Sequence, residues 1–204
     1  MRTKLEIVTG FLGSGKSIFI NEYIKTDLCK NKKILVILLE DGLSKIHEDE
    51  NIKIKYLKTI EDLRKYLINE KEYFEKIIIE FNGTMDLKEL GEALNEKSIR
   101  KKYNFYGSIF VGEGSTLYYY LMNLGEIINP FIQDSKIIIL NNMKLNKNEN
   151  LTNMIESLNL SSPIVKSDYI DNLEEDLKNN RYFKEDKIIK IIKSKRELIY
   201  GKMG

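Results

Sequence analysis

Leu5-Glu6-Ile7-Val8-Thr9-Gly10-Phe11-Leu12-Gly13-Ser14-Gly15-Lys16-Ser17 sets the architecture of the chain. A short apolar run leads into a glycine-rich loop, and a helical pattern follows through Ile18, Phe19, Ile20, Asn21, Glu22, Tyr23 and Ile24. The loop satisfies G-x-x-x-x-G-K-[ST] at Gly10, Gly15, Lys16 and Ser17. Glycine lets a backbone curl so that successive N–H groups converge on one point. A helix that begins at the end of such a loop adds its positive pole to the same point. Gly10, Gly13, Ser14, Gly15, Lys16, Ser17 and Ile18 are therefore candidates for cradling a phosphate chain. Lys16 would reach the β- and γ-phosphates, and the Ser17 hydroxyl would ligate Mg²⁺. The strand–loop–helix setting distinguishes this pattern from a glycine-rich turn that happens to precede a lysine.

The 204 residues around this stretch suffice for one domain with a full core. A hydrophobic content of 42% with 31% charged residues describes a soluble globular chain. Lys and Arg number 33 and Asp and Glu 31, a net charge of +2 that makes no electrostatic case for nucleic acid or an anionic membrane surface. Cys29 is the only cysteine, so no internal disulfide framework exists, which fits a reducing compartment. No signal-peptide pattern opens the chain, and no apolar run approaches the ~18 residues of a membrane span. A cytoplasmic protein that binds neither membrane nor nucleic acid is expected. His47, the only histidine, lies beside Glu48, Asp49 and Glu50 and reads as a solvated loop residue, so no nucleophilic triad is assembled.

Apolar runs alternate with helical patterns. Strands are expected at Leu5–Val8, Ile34–Leu39, Ile77–Ile79, Ser108–Val111, Ile137–Leu140 and Pro163–Val165, several of them continuous Ile/Val/Leu runs suited to burial on both faces. Helices are expected near Ser17–Thr26, Ile60–Asn69, Leu87–Leu94, Thr116–Ile128, Asn148–Leu158 and Leu173–Lys178. Repeating βα units predict an α/β fold of the P-loop NTPase kind: a mostly parallel sheet with helices on both faces, and its ligand cleft beyond the carboxyl ends of the strands. Residues 1–180 would form this nucleotide-binding domain. Residues 181–204 would add a charged helical tail to the same domain, with Ile188, Ile189, Ile191 and Ile192 at helical spacing.

Three strand ends could carry chemistry. Leu39-Glu40-Asp41-Gly42 places a carboxylate, Glu40, where it either holds Mg²⁺ or belongs to a solvated acidic turn. Ile77-Ile78-Ile79-Glu80-Phe81-Asn82-Gly83 is a hydrophobic strand ending in an acid and then a glycine, the layout of a Walker B site. There Glu80 would meet Mg²⁺, and the Gly83 N–H would face the γ-phosphate. Ile137-Ile138-Ile139-Leu140-Asn141-Asn142-Met143-Lys144-Leu145 occupies the place of a guanine-reading N-K-x-D. Only Asn141 fits, and Lys144 stands where the Asp should accept guanine N–H groups, although lysine has donors only.

Thr9 through Ser17 resembles the phosphate loop T-G-F-L-G-[SA]-G-K-T of the CobW/HypB/UreG family of P-loop GTPases, its CobW-like branch in particular. The similarity extends over roughly residues 4–165. Glu40 and Gly42 align with the N-E-F-G of that branch, Glu80 and Gly83 with E-T-S-G, and Asn141 and Leu145 with N-K-x-D-L. Gln133-Asp134-Ser135 sits where the family often shows glutamine and then Ala-Asp. The resemblance implies Mg²⁺-dependent binding and slow hydrolysis of GTP or ATP, a possible homodimer, and a client protein that receives a metal or cofactor. A regulatory subunit that binds nucleotide without turnover is the alternative. A small-molecule kinase fits less well, since phosphate-clamping arginines are scarce. The chain departs from the family in two places. The region matching C-x-C-C, Ile54-Lys55-Tyr56-Leu57-Lys58-Thr59-Ile60, holds no cysteine, and a separate C-terminal domain is not expected within these 204 residues.

Overall fold

A computed structural model describes residues 2–39, 46–81, 83 and 85–184. Seven parallel strands form one sheet in the order β3-β2-β4-β1-β5-β6-β7. They are β1 (Thr3–Thr9), β2 (Ile34–Leu38), β3 (Ile52–Tyr56), β4 (Lys76–Glu80), β5 (Tyr103–Glu113), β6 (Ser135–Asn141) and β7 (Ile164–Lys166). Helices α1 (Lys16–Tyr23) and α7 (Leu173–Asn179) cover one face. The other face carries α2 (Ile60–Asn69), α3 (Leu87–Asn95), α4 (Lys97–Lys102), α5 (Leu117–Gln133) and α6 (Leu151–Leu158). Among the described residues no helix is long and apolar enough to cross a membrane.

Strand alternation divides the core in two. Leu5, Ile7, Leu35, Ile37, Ile77 and Ile79 face α2 to α6, while Val8, Val36, Leu38 and Ile78 face α1 and α7. The six expected strands all form. The seventh, β3, was hidden by its composition: Ile52-Lys53-Ile54-Lys55-Tyr56 alternates apolar and charged residues at an exposed sheet edge, where lysines also discourage edge-to-edge pairing. Helix α5 runs past its expected end to Gln133, with a kink at Leu124 and Pro130 inside it. The tail expected as a helix lies outside the described residues from position 185 onward. Before it, a short 3₁₀ turn at Arg181–Phe183 buries Phe183 edge-on against Phe19 and Tyr23.

A charged network is buried beneath α1. Lys76 Nζ donates to Glu6 Oε2 at 2.9 Å and to the Tyr23 hydroxyl at 2.7 Å, and that hydroxyl donates to Glu6 Oε2 at 2.8 Å. Glu6 on β1 and Lys76 on β4 are 5% and 3% exposed, so neither charge tolerates loss of its partner. Burial and the Glu6 carboxylate hold the Tyr23 hydroxyl well above its ordinary pKa. Burial opposes the Lys76 ammonium, but the neighbouring Cys29 and Glu6 outweigh it and raise the lysine.

Lys76→Met alone should cost about 3–5 kcal/mol in urea unfolding, because it leaves a buried carboxylate without its cation, and Glu6→Leu/Lys76→Met should cost less. Both raised groups keep their protons longer when folded. Their stabilisation is therefore complete below about pH 10 and is lost as pH rises above it. The urea midpoint should fall from about pH 9 to about pH 11, and less steeply in Tyr23→Phe.

Candidate functional site

The carboxyl ends of β1, β4, β5 and β6 converge on the glycine-rich loop. Gly10, Gly13 and Gly15 adopt φ values of +148°, +76° and +87°. A Cβ on Gly10 would lie 2.2 Å from the Val111 carbonyl oxygen of β5, so the loop's first turn needs glycine for space as well as for backbone angle. Gly15 precedes α1 in a left-handed conformation, no side chain caps the helix, and its first turn holds no acidic residue. The N-terminal pole of α1 thus reaches the loop without a carboxylate of its own helix to neutralise it.

Lys16 is 4% exposed, and its Nζ donates to the carbonyls of Gly10 at 3.0 Å and Phe11 at 2.9 Å, so it arches back over the loop. Ser17 Oγ donates to both carboxylate oxygens of Glu80, at 3.0 and 3.1 Å. Glu80 is buried at the end of β4. Gly83 donates its N–H to the Gly10 carbonyl at 3.3 Å, and a Cβ there would lie 2.9 Å from that oxygen. The structure therefore brings the Walker A and Walker B candidates together. Glu40 lies outside the described residues.

Asn141 is fully buried and its Nδ2 donates to the Ser14 carbonyl at 2.7 Å, which ties β6 to the loop. Ser14 Oγ and Asn141 Oδ1 are buried with no hydrogen-bond partner among the described residues. Past Asn141 the chain is fastened to a segment that the sequence did not single out. Met143 N donates to Ser167 O, Lys144 N to Asp168 O, and Ile170 N to Asn142 Oδ1. Ile170 also packs toward the loop, since a Cβ on Gly15 would lie 2.8 Å from Ile170 Cδ1. Residues 167–170 lack a composition that marks them, and only their place after β7 could have pointed to them.

Other candidates fall into structural roles. Glu113, just before α5, accepts from Ser115 Oγ, Thr116 N and Thr116 Oγ1, and no side chain caps the helix itself. Burial opposes the Glu113 charge, yet these donors leave the carboxyl below its usual range. Tyr120 stacks on Phe11 at 4.7 Å, and Tyr118 meets Tyr119 edge-on. Cys29 is buried, and burial pushes its thiol up. Among the described residues no three His, Cys, Asp or Glu side chains gather as a metal-holding group.

Parallel topology, loop and facing strand-end acid define the P-loop nucleotide-binding class. The family described as CobW/HypB/UreG, nucleotide-binding domain, matches residues 4–166, and the chain belongs to it. A comparison with curated proteins finds no match. The Zn(II)-bound YjiA GTPase from E. coli superposes with a TM-score of 0.60 at 18% identity, over 80% of this chain and 57% of that protein. The hydrogenase maturation factor HypB from Archaeoglobus fulgidus gives 0.56 at 13% identity, over 85% and 87%. FtsY from Mycoplasma mycoides gives 0.54 at 14%, over 83% and 63%. At such identities these likenesses concern the fold. The chain covers only 57% of the length of the E. coli protein.

The contact between Asn141 and the loop predicts a measurable cost. Asn141→Ala leaves the buried Ser14 carbonyl without this donor, so the variant should lose about 1–3 kcal/mol in chemical denaturation.

Proposed function

We propose that the chain binds a nucleoside triphosphate, GTP or ATP, together with Mg²⁺, and hydrolyses it slowly. One observation carries this reading: the Ser17 hydroxyl lies 3.0 Å from the Glu80 carboxylate, at the start of an α1 whose pole no side chain caps. Mg²⁺ takes oxygen ligands at ~2.0–2.1 Å in an octahedron, which sets adjacent ligand oxygens roughly 3 Å apart. The donor set therefore suits the ion. Ser17 and Glu80 would hold it, directly or through water, and the bound ion would neutralise charge on the phosphates.

The chain's own residues supply the rest. The N–H groups of Gly13, Ser14, Gly15, Lys16, Ser17 and Ile18 bind phosphate oxygens. Lys16 exchanges the Gly10 and Phe11 carbonyls for the β- and γ-phosphates. Gly83 exchanges the Gly10 carbonyl for the γ-phosphate, and the buried Ser14 hydroxyl gains a partner. Phosphoryl transfer then rests on positioning and on charge neutralisation, which asks little covalent chemistry of the protein. Asn141 acts as a positioning residue that fixes the Ser14 carbonyl. Lys144 offers no acceptor to guanine, so base preference is weak. The nucleotide cycle would serve assembly or maturation of a metal or cofactor protein, by analogy with HypB, with dimerisation around nucleotide. Glu40 would assist at the Mg²⁺ site.

Phosphate release with MgGTP and MgATP tests the proposal. Wild-type turnover should exceed that of Lys16→Ala, and turnover equal to that variant would refute hydrolysis. Lys16→Ala should weaken triphosphate binding about tenfold to a hundredfold in calorimetry. Preference for GTP over ATP should stay well under the ~10⁴-fold of a site built on hydrogen bonds to its substrate.

A further inference from the structure

The face of the sheet opposite α1 holds a cavity of about 640 Å³. Its floor is the middle of the sheet, with Leu5 and Ile7 of β1 beside Tyr103 and Phe105 of β5. Leu87, Leu90, Gly91 and Leu94 of α3 wall one side, and Phe131 of α5 closes the other. The cavity is partly open to solvent. Its volume is that of a small-molecule site, and its lining offers polar and apolar surface in nearly equal parts.

The mouth has a charge pattern. Arg2 and Arg100, both exposed, line the cavity together with Asp134, two cationic side chains to one acidic. Arg2 Nη1 donates to the Arg100 carbonyl at 3.1 Å, which anchors the first guanidinium at the rim. Arg100 lies in the last turn of α4 with Lys101 and Lys102. A planar guanidinium matches a carboxylate through paired hydrogen bonds. Gly91 provides a handle on the space, because a Cβ built on it meets no heavy atom within 4 Å.

We propose that this cavity binds an apolar molecule carrying one carboxylate, of the medium-chain fatty-acid class, with its chain over Leu5 and Ile7 and its head group at Arg2 and Arg100. The site is separate from the glycine-rich loop and does not depend on nucleotide binding there.

The test uses the full chain and three probes of equal chain length: decanoate, decanol and decylammonium. Each displaces anilinonaphthalene sulfonate in a fluorescence titration. Decanoate should bind saturably and at least about tenfold more tightly than decylammonium. Gly91→Phe, which fills the cavity from α3, should abolish displacement by all three. Arg100→Met should remove the preference for the anion while decanol binds as before, so the second variant decides the matter even if the first does not fold. Three results would each overturn the proposal: no saturable decanoate binding, equal binding of decanoate and decylammonium, or a folded Gly91→Phe that binds like the wild type.

Discussion

Helix α1 is held against strand β4 by buried polar contacts near both of its ends, and the geometry of the cleft depends on that. Near its start, Ser17 donates to Glu80. At its last residue, Tyr23 joins Lys76 and Glu6. Lys76 and Glu80 lie four residues apart on one face of β4, so a single strand sets both attachment points. An apolar contact would allow the helix to slide or rotate at modest cost. Charge-assisted hydrogen bonds in a buried setting do not, because each displaced group would lose its partner in a medium that cannot solvate it. The position of the loop, which is continuous with α1, follows from that of the helix.

Glycine geometry and a second set of tethers complete the arrangement. Gly10 allows β5 to approach, Gly83 allows the end of β4 to lie against the loop, and Asn141 holds the Ser14 carbonyl from β6. Strands β1, β4, β5 and β6 thereby each fix one side of the same turn. This explains why membership of the CobW/HypB/UreG family coexists with a changed N-K-x-D segment. The asparagine retained there packs inward on the loop, whereas the altered residues, Asn142 and Lys144, lie in the segment fastened to residues 167–170.

Much of this was legible in the sequence. The continuous apolar runs of β2 and β4 could only be strands covered on both faces, and the loop motif fixed what must follow β1. Strand β3 escaped because at a sheet edge its lysines mask the apolar alternation. The extension of α5 escaped because Pro130 usually ends a helix, while here it sits inside one. Glu80 was found by its place at a strand end. The buried partners Glu6, Lys76 and Tyr23 were not, because each looks like an ordinary surface residue until the sheet order brings β1 beside β4. The 167–170 segment was missed for the same reason, since its contacts with residues 142–144 are contacts between distant parts of the chain.

Ser17 and Glu80 are proposed to form one ion site that operates with the triphosphate. Electron paramagnetic resonance of Mn²⁺, used in place of Mg²⁺, tests it most directly. Titrated with GTP present, the wild-type chain should hold one Mn²⁺ far more tightly than free nucleotide does. Ser17→Ala and Glu80→Gln should each weaken that binding, and the double variant should weaken it by less than the sum of the two free-energy losses, as expected for residues that act on one ion. Mn²⁺ affinity unchanged in both single variants would rule out a shared ion site.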